Sequence, residues 1–450
     1  MTAQLYVIYI FLSQFPALIN IGSSYVGLQI LILPLFYYFS NKVRKLSNYI
    51  FIVLGISFFV GFLKFRELNF LEFNLRIVSI LTVVASLLIP LIIYKRIDDF
   101  VEFKKKFIRP LLLTSIPSLL FCFIELFFKF SKSLFFLNII VGLKKYIFVP
   151  NRMRYTVGTL AGLFPEHGLF ACYLLFIIGI SFLFIDFRKM TKIHLLSISW
   201  VFLSVFHSSG LFFAALLITI FIFIILNILS FIKDLKFDKR IIIFSILGIL
   251  LSGLLILVGP IYNPFLFKRF SLIFTNIYST GFAIDPSLNY KLLPYYALFK
   301  TNILDLFTGS GSSYFSNYIP TIIDYLPSHL IKQGDFLINL EDKRFSLNST
   351  IICSLLEYGF FLSTAILIIL KKYCKLFKPV DLFVNFSRIL ILNFETKKIL
   401  SIFFLFASFI TLLGAVPLTY PFPYISLAMI FIIFDDSLKS NVKAKQELFK

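Results

Sequence analysis

Apolar residues recur along this chain in stretches of roughly 17 to 25, which is long enough for a helix to cross a hydrocarbon core of about 30 Å. Short polar or basic segments separate these stretches. The pattern therefore predicts an all-α integral membrane protein, a single polytopic unit over residues 1–450. About twelve spans are predicted, at residues 3–20, 25–40, 49–63, 75–94, 110–129, 168–186, 195–207, 210–232, 241–262, 350–370, 399–416 and 422–434.

Lys and Arg indicate the orientation of these spans, because short cytoplasmic connections are enriched in positive charge. With the chain starting inside, the basic segments fall on one face: Lys42 to Lys45, Lys95 to Arg109, Arg188 to Lys192, Lys233 to Arg240, Lys371 to Lys398 and the tail after Asp436. The outer turn with Lys64 and Arg66 is balanced by Glu67 and Glu72. We predict a multi-pass protein of the cell inner (cytoplasmic) membrane with both termini in the cytoplasm.

The composition supports this class. Of the 450 residues, 59% are hydrophobic and only 14% are charged, too few to cover a soluble globule. The net charge of +21 is explained by anionic lipid headgroups and not by nucleic acid. The four cysteines show no metal-site or disulfide spacing.

Two predicted outer connections are long, at residues 130–167 and 263–349. The first carries an excess of positive charge that breaks the orientation trend, which favours an anionic ligand, with lipid headgroups as the alternative. Its charged residues are Lys132, Lys144, Lys145, Arg152, Arg154 and Glu166. The second is mixed in charge, and its stretch Tyr290–Phe307 has the pattern of an amphipathic helix lying on the membrane surface. The GSGSS run at Gly309–Ser313 then predicts a turn.

Three ionisable residues lie near the outer ends of predicted spans. A charge in an apolar span is energetically costly, so each of these residues is a candidate for a specific role. Glu357 is a candidate general base, a partner for an Arg, or a helix-packing acid that reaches water. For Glu125 and His207 we expect interfacial side chains that reach toward water. The chain contains no Gly-rich nucleotide loop and no HExxH motif, so we expect no metal, no cofactor and a donor that already resides in the membrane.

Four segments together resemble the O-antigen polymerase and O-antigen ligase family of bacterial polysaccharide enzymes. They are RYTVGTLAGLFPEHGLFA (Arg154–Ala171), FHSSGLFFAALL (Phe206–Leu217), LFTGSGSSYF (Leu306–Phe315) and LNSTIICSLLEYGFF (Leu347–Phe361). The chain departs from the family where an Arg often precedes the Gly-x-Gly segment, because Asn289 and Lys291 stand there. The spacing of Arg269 and Gly281 nearly matches a second family pattern, an Arg ten residues before a Gly.

The resemblance implies a glycosyltransferase of the lipid-donor (GT-C-like) architecture that acts on undecaprenyl-pyrophosphate-linked glycans at the outer face. Polymerisation of surface polysaccharide is the expected activity, with ligation to lipid A core or flipping of the lipid-linked oligosaccharide as alternatives. Because Arg binds phosphate with two parallel hydrogen bonds, the pyrophosphate candidates are Arg152, Arg154, Arg269, Arg344 and, from the resemblance, Lys291. The catalytic candidates are Glu166, His167, His329 and Glu357, and the choice of base stays open. A chain-length regulator and a flippase are expected partners, besides membrane lipids.

Overall fold

The structure is a computed structural model. It describes residues 2–14, 19–21, 24–26, 34, 41–65, 100–147, 160–164, 167–185, 191–207, 209–234, 295, 297–311, 355–365, 368, 396–413, 420 and 422–433. The described part is helical apart from one short hairpin. Its helices are α1 (Thr2–Leu12), α2 (Asn41–Phe65), α3 (Phe100–Phe103), α4 (Arg109–Thr114), α5 (Ile116–Ser131), α6 (Leu134–Ile147), α7 (His167–Phe182), α8 (Lys192–Val205), α9 (Gly210–Asp234), α10 (Ile303–Thr308), α11 (355–365), α12 (Thr396–Ile410) and α13 (Phe422–Ile433). A π-helical turn, Lys104–Ile108, joins α3 to α4, and a 3-10 turn, Thr411–Leu413, follows α12.

The described residues agree with the predicted all-α class, and the amino-terminal region departs from it locally. The span predicted over residues 3–20 is helical only to Leu12, and two antiparallel strands follow, β1 (Ile19–Ile21) and β2 (Ser24–Val26). Ile19 pairs with Val26 across this hairpin. Two residues separate the strands in the sequence, Gly22 and Ser23, and both are of types that turns prefer; the apolar pattern alone did not reveal the reversal.

Helix α7 forms the centre of the described core. Its residues 170–180 are all buried, and it packs against α8, α9 and α12. A helix that is apolar on every side is typical of a central position with neighbours all round. Gly179 marks the closest approach, because a Cβ there would lie 2.8 Å from Cγ of Leu405 on α12.

Two stretches of helix in the described part are long and apolar enough to cross a membrane, Asn48–Phe65 of α2 and Phe100–Ser131, which runs from α3 through α5. On α2 an apolar stripe of Ile52, Ile56 and Phe59 is at least half exposed. These residues recur at spacings of four and three, so they lie on one face of the helix. An exposed apolar face of this kind fits contact with lipid.

The α8–α9 pair is the third candidate span. The two helices meet at 102° across a break of a few residues, and together they are apolar and long enough to be one broken span or a re-entrant pair. The sequence predicted two successive spans here, at 195–207 and 210–232. Predicted spans 75–94, 241–262 and most of 25–40 lie outside the described residues, so twelve spans stay a prediction.

The first long connection that was predicted to lie outside also contains a helix. Residues 130–167 were expected to form a loop, yet α6 occupies Leu134–Ile147 within it and packs back on α5. The basic residues of this stretch obscured a helical pattern of apolar positions. In the second connection, the amphipathic helix predicted at Tyr290–Phe307 is described as a helical turn at 297–300 and the separate helix α10. Asn302 separates these two helical segments. It caps the start of α10, because its side chain accepts a hydrogen bond from the backbone N–H of Asp305 at 2.7 Å.

Candidate functional site

A buried carboxylate, Glu125 on α5, joins three parts of the chain. Its Oε1 accepts a hydrogen bond from Nζ of Lys144 on α6 at 2.8 Å, and its Oε2 accepts the backbone N–H groups of Ala161 and Gly162 at 2.9 Å each. Only 6% of the Glu125 side chain and 15% of the Lys144 side chain is exposed. Burial of an ion pair costs several kcal/mol per ion unless hydrogen bonds satisfy its remaining positions, and here backbone amides do so.

This arrangement corrects two sequence-based interpretations. Glu125 does not reach toward water as an interfacial side chain, because it is buried and fully occupied by protein donors. Lys144, which contributed to the excess charge attributed to an anionic ligand, has its counter-charge inside the protein. The ion pair joins residues that are 19 positions apart, and the contact was hidden because the sequence analysis treated the region of Lys144 as a loop.

His207 lies at the break between α8 and α9. It contacts the segment 160–162, which Glu125 also binds. The side chain is 1% exposed, and its Nδ1 lies 3.1 Å from the carbonyl oxygen of Leu160. A carbonyl can only accept, so Nδ1 carries the proton and donates. The imidazole ring lies between the rings of Phe170 and Phe212, each with its centroid 5.3 Å away. The prediction of an interfacial, water-reaching His207 is therefore wrong.

A second cluster forms where the Gly-x-Gly segment meets α11. The backbone N–H of Ser310 donates to the carbonyl of Leu356 at 2.8 Å, and that of Gly311 donates to the carbonyl of Glu357 at 2.8 Å. Gly309 and Gly359 have positive φ values of 77° and 67°, and a Cβ on Gly359 would lie 2.4 Å from the nitrogen of Gly309. Only glycine permits the two backbones to approach this closely.

Lys64, at the end of α2, binds the Gly-x-Gly turn and the helix α10 that precedes it. Its Nζ lies 2.6 Å from Oδ1 of Asp305 on α10 and donates to the carbonyl of Gly309 at 2.7 Å and to Oγ1 of Thr308 at 3.3 Å. The ammonium thus has three acceptors for its three protons. The sequence predicts only nearby acids of the same turn as counter-charges for Lys64, because a partner 241 positions away leaves no local signal.

Among the predicted catalytic residues, Glu357 is the one whose surroundings the structure describes. It lies on α11, is half-buried, and its carbonyl also accepts a long hydrogen bond from Oγ of Ser57 on α2 at 3.4 Å. His167 is the first residue of α7, and its side chain lies outside the described residues. The remaining predicted site residues also lie outside them: Glu166, His329, Arg152, Arg154, Arg269, Lys291 and Arg344.

Each of the two clusters joins two of the four segments that carry the family resemblance by hydrogen bonds. Leu160, of the segment Arg154–Ala171, bonds His207 of the segment Phe206–Leu217. The turn at 309–311 bonds the segment that contains Glu357. No protein-family model, curated protein or solved structure matches this chain.

The chemistry available in the second cluster is limited by its hydrogen bonds. Backbone N–H groups in a Gly-rich turn can cradle a phosphate. Here the N–H groups of Ser310 and Gly311 are already bonded to α11, so the turn serves as a joint between helices. Among the described residues, no group of three or more His, Cys, Asp or Glu side chains could hold a metal ion.

Proposed function

We propose that this protein is a polysaccharide polymerase of the membrane, which moves a growing glycan from undecaprenyl pyrophosphate to a lipid-linked repeat unit at the outer face. The observation that carries the proposal is the joint between the Gly-x-Gly turn and α11, because it unites two of the segments on which the family resemblance rests. It also ties Glu357, a candidate base, to a predicted outer loop.

The transfer requires two things of the chain, which are binding of the leaving pyrophosphate and removal of the proton from the acceptor hydroxyl. The acceptor hydroxyl oxygen attacks the anomeric carbon of the donor glycan, and the bond from that carbon to the pyrophosphate oxygen breaks. The pyrophosphate leaves on the carrier lipid, where the arginine candidates Arg152, Arg154, Arg269 and Arg344, together with Lys291, would bind its charge. A carboxylate or imidazole takes the hydroxyl proton, and Glu357, Glu166, His167 and His329 are the candidates. No metal enters this scheme.

A ligase that hands the glycan to lipid A core would use the same donor and the same charged groups. A flippase of the lipid-linked oligosaccharide would instead need a polar path through the bundle. In the described core around α7, the buried polar groups are mostly neutral hydroxyls such as those of Ser181, Ser197 and Ser401, and the ionisable residues Glu125 and His207 are engaged with backbone groups. We therefore favour a transferase over a transporter.

The test is deletion of the gene in its host, complementation with variants expressed at the normal level, and separation of the surface polysaccharide on a gel. We expect deletion, Arg154→Ala and Glu357→Gln each to collapse the ladder to core that bears a single repeat. Glu102→Gln is the matched control, because Glu102 is an exposed acid paired with Lys106 on the predicted cytoplasmic side. This variant should restore the ladder.

Other outcomes contradict the proposal. Core without any repeat, together with polymer that accumulates on the carrier lipid, would indicate the ligase. An unchanged ladder after deletion would exclude both transfer reactions as this protein's role in the host. Core without any repeat, and without polymer on the carrier lipid, would favour transport, because repeat units that are not flipped never reach the outer face.

A further inference from the structure

Exposed apolar side chains form a patch on and beside α10 and α11, which we call the α10 patch. Its members are Phe299, Ile303, Leu304, Phe307, Phe360 and Phe361. Phe307 links the two helices, because its ring centroid lies 6.0 Å from that of Phe360 and 5.3 Å from that of Phe361. A contiguous apolar surface of this kind marks contact with a partner or a membrane.

The polar side of α10 faces the protein. Asp305 and Thr308 are three positions apart, so they share one side of the helix, and both contact Nζ of Lys64, at 2.6 and 3.3 Å. The apolar positions 303, 304 and 307 lie around another side. Ile303 and Leu304 are accordingly 76% and 70% exposed. The helix is therefore held by its polar side and directs its apolar side away from the protein.

Lys64 fixes the depth of this helix. It is the next-to-last residue of Asn48–Phe65, the stretch of α2 that is long and apolar enough to cross a membrane. A Lys at the end of a span extends its ammonium group into the headgroup region. With α2 across a membrane, the contacts of Lys64 with Asp305 and with the carbonyl of Gly309 place α10 at the membrane surface.

The turn after α10 fixes the orientation of the patch. The backbone N–H of Gly311 donates to the carbonyl of Glu357 on α11 at 2.8 Å. On its other side the turn approaches α2 so closely that a Cβ on Gly311 would lie 2.3 Å from Cα of Gly61. Contacts with two helices leave α10 little freedom to turn its apolar side inward.

The charge beside the patch suits a lipid surface. Phe299, which is 82% exposed, is followed by Lys300, which is also exposed. The acid of α10, Asp305, has its counter-charge in Lys64. Segments that lie in a membrane interface combine large apolar side chains with Lys or Arg, because anionic headgroups attract the cation.

We propose that the α10 patch is an interfacial anchor, which inserts Phe299, Ile303 and Leu304 among the lipids at the membrane surface beside the end of α2. The occupant of the patch is bulk lipid. The anchor holds the Gly-x-Gly turn at the level of the headgroups. The inference does not rest on the proposed function, because it concerns only the contact of α10 with lipid.

The test uses the full-length protein in vesicles of equal parts phosphatidylcholine and phosphatidylglycerol, with bromine on the acyl chains of the phosphatidylcholine. Bromine quenches tryptophan fluorescence on contact. The chain has a single tryptophan, Trp200, which is fully buried, so the wild type supplies the background. Leu304→Trp and the more conservative Phe299→Trp each add one indole to the patch. Two reporters keep the test decisive if one variant fails to fold.

We expect the added indole of both variants to lose more fluorescence to bromine near the headgroup end of the acyl chain than to bromine near its methyl end. Ile56→Trp is the matched control on the exposed stripe of α2. It lies eight residues before Lys64, which is about 12 Å along the helix. This control should show the opposite order of quenching.

Three results overturn the inference. Quenching of the patch reporters by aqueous iodide and not by lipid would show that the patch lies in water. An indole that neither quencher reaches would show that protein, from this chain or from a second copy, covers the patch. No lipid quenching in Ile56→Trp would show that α2 is not in the membrane, so Lys64 would not mark its surface. All three are independent of the polysaccharide ladder, which tests the proposed function.

Discussion

The joint between the Gly-x-Gly turn and α11 makes a sharp prediction for the substitution Gly359→Ala. A Cβ at this position would lie 2.3 Å from the carbonyl oxygen of Phe307 and 2.4 Å from the nitrogen of Gly309. Ordinary contact is about 1 Å longer, so the turn has to move away from the helix. The substitution therefore breaks the joint and cannot be absorbed by a side-chain rotation.

The magnitude follows from two contributions. A left-handed backbone conformation costs a non-glycine residue about 1 to 2 kcal/mol. Displacement of the turn breaks the hydrogen bonds from Ser310 and Gly311 to α11, and each contributes about 0.5 to 1.5 kcal/mol. We expect Gly359→Ala to lower the free energy of unfolding by about 2 to 5 kcal/mol.

The effect is measured as the change in the thermal unfolding temperature of the protein in nanodiscs, with tryptophan fluorescence as the signal. Gly55→Ala on α2 and Gly142→Ala on α6 are matched controls, because an added Cβ meets no atom within 4 Å at either position. Both should unfold at or slightly above the wild-type temperature, since Ala favours a helix over Gly. If Gly359→Ala unfolds together with the controls, the close approach of the two backbones is refuted.

Three further predictions follow from other contacts. A double-mutant cycle of Lys64→Met and Asp305→Asn should give a coupling energy of at most about 1 kcal/mol, because both side chains are partly exposed at 31% and 22%; a coupling of several kcal/mol would contradict this. Trp200→Phe should cost about 1 to 3 kcal/mol in chemical unfolding, because the buried indole N–H donates to Oγ of Ser115 at 2.8 Å; unaltered stability would contradict the bond. Gly179→Leu should prevent close packing of α7 on α12 and lower the yield of folded protein in size-exclusion chromatography, whereas a normal monodisperse peak would show that the helices can separate at no cost.

The helices of this protein were predictable where the apolar pattern is long. The predicted spans 49–63, 110–129, 168–186, 195–207, 210–232, 350–370, 399–416 and 422–434 all overlap described helices. The misjudged regions are the hairpin at β1 and β2 and the helix α6. The apolar pattern cannot separate these cases, since a short run of apolar residues fits a strand or a helix equally well.

The candidate site was predictable only in outline. Glu125, His207 and Glu357 are conspicuous in the sequence because an ionisable residue in an apolar span is energetically costly. The structure shows protein partners for the side chains of Glu125 and His207. Their partners could not be deduced, because Lys144, Leu160 and the turn at 161–162 are brought in by the fold from other segments. The joint at Gly309 likewise depends on a meeting of segments about 50 residues apart.

The central position of α7 has a consequence for handling the protein. If α2 crosses a membrane, as its length and composition allow, detergent extraction exchanges the lipid at Ile52, Ile56 and Phe59, while residues 170–180 of α7 are buried within the protein. Because lipid tails are as apolar as these side chains, the helix is kept central by close fit and not by avoidance of water. Solubilisation should therefore loosen the periphery first, and a harsh detergent should strip α2 from the bundle before it reaches α7.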